Sequence, residues 1–168
     1  MIRVLLIVFI ATACAVFAYG DPAKITTARA SVTAMLQHRA AAHARIQQIP
    51  RGNGGEFKLE ARINGVKVPM VIDTGATSVV LTYETAKAAG LPLELLDYDV
   101  PLETVGGNTK AARLTLDRLA VGRLVEHSIP ALVVPRGQMK TNLLGMSFLD
   151  RLESWEVRAD RLMLRGYP

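Results

Sequence analysis

Of 168 residues only Cys14 is a cysteine, which excludes a disulfide scaffold and a cysteine-based zinc site. The formal charge of +5 arises in residues 1–52, where six basic residues face Asp21 alone. Residues 53–168 carry fourteen charges of each sign. That part lacks the clustered Lys and Arg that counterion release requires, so it is not a nucleic-acid binder. Of the three histidines, His38 and His43 are five apart, about 140° apart on a helix, and do not form a ligand pair. No metal or other cofactor is called for. Internal repeats and low-complexity tracts are missing too, and the length suits one domain of ordinary size.

What is present begins with an apolar run of 16 residues, Val4–Tyr19, preceded only by Arg3. A membrane span usually takes about 20 residues, and a signal-peptide core roughly 7–15. Residues 1–20 therefore read as a transmembrane anchor or a signal peptide cleaved near Ala18-Tyr19-Gly20, the retained anchor being favoured. The remainder is expected to be membrane-anchored through residues 4–19 and to face the periplasm, or to be exported if the leader is cut. Residues 22–49 read as an amphipathic helix, with Ile25, Ala28, Val32, Met35, Ala42, Ile46 and Ile49 recurring at close to heptad spacing. Arg51-Gly52-Asn53-Gly54-Gly55 reads as a flexible linker. Residues 21–52 would thus be a stalk and linker, and residues 53–168 the domain.

From Glu56 the period becomes two. Phe57, Leu59, Ala61 and Ile63 alternate with charged residues, as in a half-buried strand. Asn64-Gly65 has the composition of a tight hairpin turn, and Val66–Ile72 returns as a strand containing Pro69. A further strand spans Ser78–Thr82, and Thr82 is the expected cap of a short helix ending at Gly90. Later strands are expected over 99–105, 109–116, 119–121 and 129–134, then a helical turn over 146–152 and a hairpin across Ala159-Asp160. Short strands at this spacing predict a small all-β barrel or sandwich.

One stretch carries chemistry. Asp73 stands between two apolar strands, where an unpaired carboxylate is costly to bury. An Asx turn with Gly75 at the bend explains it structurally, and a comparable triplet arises by chance in roughly one chain in ten of this length. Two features raise its weight: Leu143-Leu144-Gly145 downstream, and between them Thr104-Val105-Gly106-Gly107-Asn108-Thr109, the composition of a mobile glycine-tipped hairpin. Together, Asp73-Thr74-Gly75-Ala76, the hairpin and Leu143-Leu144-Gly145 resemble the retropepsin-like aspartic proteases. Leu143–Leu149 looks more like their bacterial membrane-anchored branch. Viral members usually place an acid and an arginine where this chain has Thr77 and Met146; both partners of that ion pair are absent together, so the resemblance does not imply the viral dimer contacts for this chain.

The resemblance implies a retropepsin-like barrel with one or two short helices over roughly residues 55–166, and an aspartic endopeptidase acting on polypeptides. It makes Asp73 catalytic, with Thr74, Gly75 and Ala76 supporting its loop and Val105, Gly106, Gly107 and Asn108 forming a flap. Leu143, Leu144 and Gly145 would be the hydrophobic-hydrophobic-Gly segment, and Val105, Ile129, Leu132 and Val134 candidate subsite walls. Metal-free peptide hydrolysis needs both a base and an acid, which two close carboxylates sharing a proton provide. The chain has one such aspartate, so the chemistry requires a homodimer. A membrane-tethered β-domain that binds peptide or dimerises without catalysis is the alternative, and a stalked envelope scaffold a second. Release of the domain by cutting near Arg51–Gly55 is a further expectation. His127 is assigned to a loop without a role, and Trp155 to a core or dimer contact.

Overall fold

The computed structural model describes Thr33, Met35, residues 45–104 and residues 107–167. The chain divides into Met1–Ala41 and Ala42–Pro168. In the first unit Thr33 and Met35 are helical. The apolar run 4–19 and most of the expected helix lie outside the described residues. Among the described residues no helix is long and apolar enough to cross a membrane.

The second unit is built around the Asn64-Gly65 turn, whose φ angles of 50° and 84° are the pair a two-residue hairpin loop demands. It joins β2 (Lys58–Ile63) to β3 (Val66–Ile72) with Ile63 opposite Val66. Ala61, Ile63, Val68 and Met70 are buried while their neighbours Glu60, Arg62, Lys67 and Pro69 face outward, the period of two realised as an inner and an outer face. Next come β4 (Val79–Leu81) and α1 (Tyr83–Ala88). The Thr82 hydroxyl accepts the Thr85 N–H at 3.2 Å, and Gly90 with φ 69° closes the helix as the sequence anticipates.

A one-turn 3₁₀ helix, Leu93–Leu95, leads into β5 (Val100–Thr104), β6 (Gly107–Val121) and β7 (Leu124–Val133). The chain ends with β8 (Asn142–Leu144), α2 (Met146–Leu149), β9 (Ser154–Val157) and β10 (Arg161–Arg165). The large sheet runs β2-β3-β8-β4-β7-β6-β5, and a further β2–β6 pairing closes six of these strands into a barrel. β5 remains outside as the hairpin partner of β6. Ile63, Met70, Leu116, Leu124, Ile129 and Phe148 are among the large side chains filling the interior. The expected all-β barrel with two short helices is therefore the observed fold.

Three details differ from the sequence reading. Residues 109–121 form one continuous strand rather than two. Asp117 and Arg118 break the alternation because the β6–β7 ladder is interrupted there: pairing passes from Leu116–Ile129 to Arg118–His127, and Ser128 has φ 52°. His127 accordingly lies in a strand, not a loop. Ile46–Pro50 is not the end of a helix but strand β1, paired along its length with β10 in a second sheet ordered β1-β10-β9. Isoleucines three apart share a helix face but fall on opposite faces of a strand, so the spacing alone points to the helix; burial of Ile49 opposite Leu162 in the β1–β10 ladder decides for the strand.

The third correction concerns Arg51–Gly55, which is a folded turn rather than a flexible linker. Gly52 N–H donates to Glu56 O at 2.8 Å and Gly55 N–H to Gly52 O at 2.9 Å. The Arg51 guanidinium donates to the carbonyls of Ala159, Gly55 and Arg158 at 3.0, 3.0 and 3.2 Å, and it lies 4.5 Å from the Phe57 ring centroid. A cut there would sever β1 from the sheet that it helps to build, so the folded part begins before β1 and not at residue 53.

Candidate active site

β3 and β8 run parallel, with Ile72 beside Leu144, and both strands end at this level. Asp73 follows directly and its N–H donates to Leu144 O at 3.2 Å. The chain then turns tightly. Ala76 N–H donates to Asp73 O at 3.3 Å, and Gly75 N–H donates to Asp73 Oδ1 at 2.9 Å. The Asx turn read as the structural explanation is thus present, and it orients the carboxylate. Asp73 is half-buried, whereas Thr74 and Gly75 are exposed at the loop's tip.

The far side of the loop is fixed by residues some 70 positions away. Met146 N–H donates to Ala76 O at 2.8 Å and Ser147 N–H to Thr77 O at 3.0 Å. Ser147 Oγ accepts the Val79 N–H at 2.9 Å and donates to Pro130 O at 2.8 Å. Gly145 fits between these contacts because it has no side chain: a Cβ there would meet Ser78 O at 2.2 Å and Ala76 O at 2.5 Å. Leu144 is buried in the core. Leu143 packs instead on a small second cluster with Val80, Ala111 and Val134. The hydrophobic-hydrophobic-Gly segment thus splits into a core residue, a wall residue and a close-packing glycine.

Asn142, just ahead of this segment, was not identified from sequence. It is buried, accepts the Thr82 N–H at 2.9 Å and donates to Pro69 O at 2.9 Å, so one amide ties β8 to both strands that flank the aspartate loop. Nothing in an Asn between a turn and an apolar pair signals this; it needs the β3-β8-β4 order.

Asp73 lies in a cleft of about 660 Å³. Ala76, Thr77 and Ser78 line it from the loop, Leu102 and Glu103 from β5, and residues 137–141 from a turn in which Gly137 has φ 79°. Val80, Leu132 and Leu143 contribute apolar surface. Leu132 is thus where it was expected, but Ile129 belongs to the barrel core and Val134 is fully buried in the second cluster. Leu102, Met139, Glu103 and Lys140 in the cleft went unrecognised because edge-strand and turn residues carry no periodic signal. The glycine-rich stretch is a hairpin, with Thr104 opposite Gly107 and Glu103 opposite Asn108, and Gly107 has φ 111°. Val105 and Gly106 at its tip lie outside the described residues.

A closed six-strand barrel whose Asp-Thr-Gly-Ala loop is braced by a hydrophobic-hydrophobic-Gly segment defines a retropepsin-like aspartic protease. The chain belongs to the aspartyl protease family, whose model matches residues 59–148. A retropepsin-like aspartic protease from Rickettsia conorii, known from its crystal structure, superposes with a TM-score of 0.65 at 33% identity, covering 72% of this chain and 90% of that one. An uncharacterised Sinorhizobium protein from the cobV 5′ region is 38% identical over 111 residues, which is 66% of this chain and 48% of that protein. The uncharacterised Rickettsia prowazekii protein RP867 is 34% identical over 116 residues, 69% of this chain and 49% of that protein. The chain spans about half the length of the curated relatives that it matches.

Proposed function

We propose that this chain is an aspartic endopeptidase in which two copies each supply Asp73 to one active site. The supporting observation is the Asp73 carboxylate, placed in the cleft on a loop hydrogen-bonded on both flanks. Two such groups brought together would share one proton, one serving as base and the other as acid. The ionised partner takes a proton from a water held between them as the water oxygen bonds to the scissile carbonyl carbon, while the protonated one gives its proton to the carbonyl oxygen. The C–N bond then breaks as the amine nitrogen takes one proton from the pair and the carbonyl re-forms by returning the other, which restores the single shared proton. An extended peptide would lie as an added strand between the β5–β6 hairpin and the floor, its side chains alternating into subsites. Gly106 and Gly107 would let the hairpin close over it and exclude water. Retention at a membrane through residues 4–19, facing the periplasm, belongs to the same proposal and rests on the apolar run alone.

The test is peptide-library cleavage followed by mass spectrometry at several pH values, with wild type beside Asp73→Asn. Wild type should cleave with an acidic optimum, and the variant should be folded and inactive. Retained cleavage by Asp73→Asn refutes the assignment. Absence of cleavage in both would favour the peptide-binding module instead.

A further inference from the structure

One wall of the Asp73 cleft is a loop with little structure of its own. Residues 135–141 lie between β7 and β8 and belong to neither. They hold one main-chain hydrogen bond among themselves, from Gln138 N–H to Pro135 O at 3.2 Å, and Gly137 has φ 79°. A segment of this kind has many conformations open to it, so its order has to come from groups outside it.

Those groups come from one place. Val134 N–H donates to Leu81 O at 3.0 Å, and Asn142 Oδ1 accepts the Thr82 N–H at 2.9 Å. Both ends of the loop are thus tied to the residues that lead into α1. The first two residues of α1 then take hold of its outer side. The Arg136 guanidinium carbon lies 5.0 Å from the centroid of the half-buried Tyr83 ring, and Arg136 Nε is 3.9 Å from Glu84 Oε1. The Thr82 cap on Thr85 N–H fixes where Tyr83 and Glu84 stand. On the inner side residues 137–141 line the cleft, with Met139 packed on the cluster of Val80, Ala111 and Val134. Arg136 itself is exposed and does not line the cleft.

We propose that Arg136 and Tyr83 are positioning residues for substrate selection, holding the 137–141 wall in place from outside the cleft. This rests on the peptidase reading of Asp73 and adds to it what sets the choice of peptide. Val80, Leu132 and Leu143 give the cleft apolar surface, and the distance from them to the loop sets how bulky a side chain fits between. With the stack in place the loop keeps that distance. Without it the loop moves outward more often and bulkier side chains enter. A cation over an exposed ring shifts such an equilibrium by roughly 2–5-fold, whereas the 3.9 Å ion pair between exposed groups adds little. The Asp73 loop has braces of its own from Leu144, Met146 and Ser147, so releasing the wall acts on KM rather than on kcat.

Three variants of the full chain test this, each read in two ways. Arg136→Ala and Tyr83→Leu remove the stack, and Tyr83→Phe keeps the ring. Trypsin should cut after Lys140 about 2–5-fold faster in the first two than in wild type, because proteolysis follows the population of the open form. Tyr83→Phe should be cut like wild type, and cutting after Arg113 in the barrel should not change in any of them. In peptide-library cleavage, Arg136→Ala should favour aromatic over aliphatic side chains beside the scissile bond about 2–5-fold more than wild type does, through KM. Unchanged cutting after Lys140 in Arg136→Ala overturns the clamp; that residue is exposed, so its variant decides should Tyr83→Leu misfold. Faster cutting with a wild-type cleavage profile, or a loss confined to kcat, overturns the selective role. A wild type that cleaves no peptide removes the peptidase reading and the selective role with it, while the trypsin arm still decides the clamp.

Discussion

Replacing Gly145 by alanine should damage this protein far more than one methyl group ordinarily does. The backbone there has φ −93° and ψ −171°, extended values that any residue adopts, so conformational freedom is not the reason. The reason is contact. The added carbon would lie 2.2 Å from Ser78 O, 2.5 Å from Ala76 O and 2.7 Å from Ser78 C, all main-chain atoms of the aspartate loop and its exit. Overpacking typically costs about 1–3 kcal/mol. Moving Ala76 and Thr77 away also weakens their hydrogen bonds from Met146 and Ser147, each worth about 0.5–1.5 kcal/mol net. The sum is roughly 2–6 kcal/mol if both bonds are lost. Gly75→Ala is the control, since its Cβ would meet only Asp73 Oδ1, at 3.1 Å, and a carboxylate can rotate. Urea unfolding of both variants, with linear extrapolation, should show a large loss for Gly145→Ala and a small one for Gly75→Ala. A Gly145→Ala protein within about 0.5 kcal/mol of wild type, the range of an ordinary surface change, would refute the reasoning.

Asn142→Leu should lose about 2–5 kcal/mol in the same assay, because it leaves the Thr82 N–H and the Pro69 carbonyl without their buried partner. A fragment starting at residue 45 should unfold cooperatively, whereas one starting at residue 53 lacks β1 and Arg51 and should show a lower Tm and faster proteolysis of β10. Equal melting of the two fragments would count against β1 as part of the fold. Lys58, Arg158 and Arg161 hold Glu56, Glu156 and Asp160 below their ordinary pKa values, chiefly through side-chain hydrogen bonds. The folded state therefore binds fewer protons than the unfolded one. Stability from these pairs is present above the unfolded values of 4.5, 4.5 and 3.8 and is lost as pH falls through the folded ones. All three pairs are exposed, so the drop in Tm between pH 5 and pH 3 should be modest and should shrink in high salt.

The barrel strand with strict alternation, 58–63, is legible because one face is buried and the other wet, and 66–72 because its apolar run follows a turn signal. The turn at Asn64-Gly65 and the cap at Thr82 were legible because their chemistry is local. What escaped depends on partners distant in sequence. Ile46 and Ile49 form a strand because β10 offers an edge 113 to 119 residues later. The glycines of 52–55 suggest freedom by composition, but the Arg51 side chain closes that turn onto Arg158 and Ala159. At the site, Asp73 and the Leu143-Leu144-Gly145 segment were found as composition, while the bracing amide of Asn142 and the cleft positions of Met139 and Lys140 exist only in the assembled structure.

The separation of the two short motifs has a physical explanation. A helix begins with N–H groups that have no partner within it, and α2 has no side-chain cap at Gly145. Its first two donors, on Met146 and Ser147, are instead satisfied by the carbonyls of Ala76 and Thr77. The aspartate loop is in effect the cap of α2, and α2 is the brace of the loop; neither is complete alone. β3 and β8 must run parallel and end together for the two to meet, and the closest fit falls at residue 145, where only glycine is small enough. None of these bonds uses the Asp73 carboxylate. Its hydrogen bond within the loop, from Gly75 N–H to Oδ1, is one that an asparagine Oδ1 accepts equally well. Asp73→Asn should therefore remove the ionisable group while keeping the loop, the helix cap and the melting temperature, which makes loss of cleavage in that variant a statement about chemistry rather than folding.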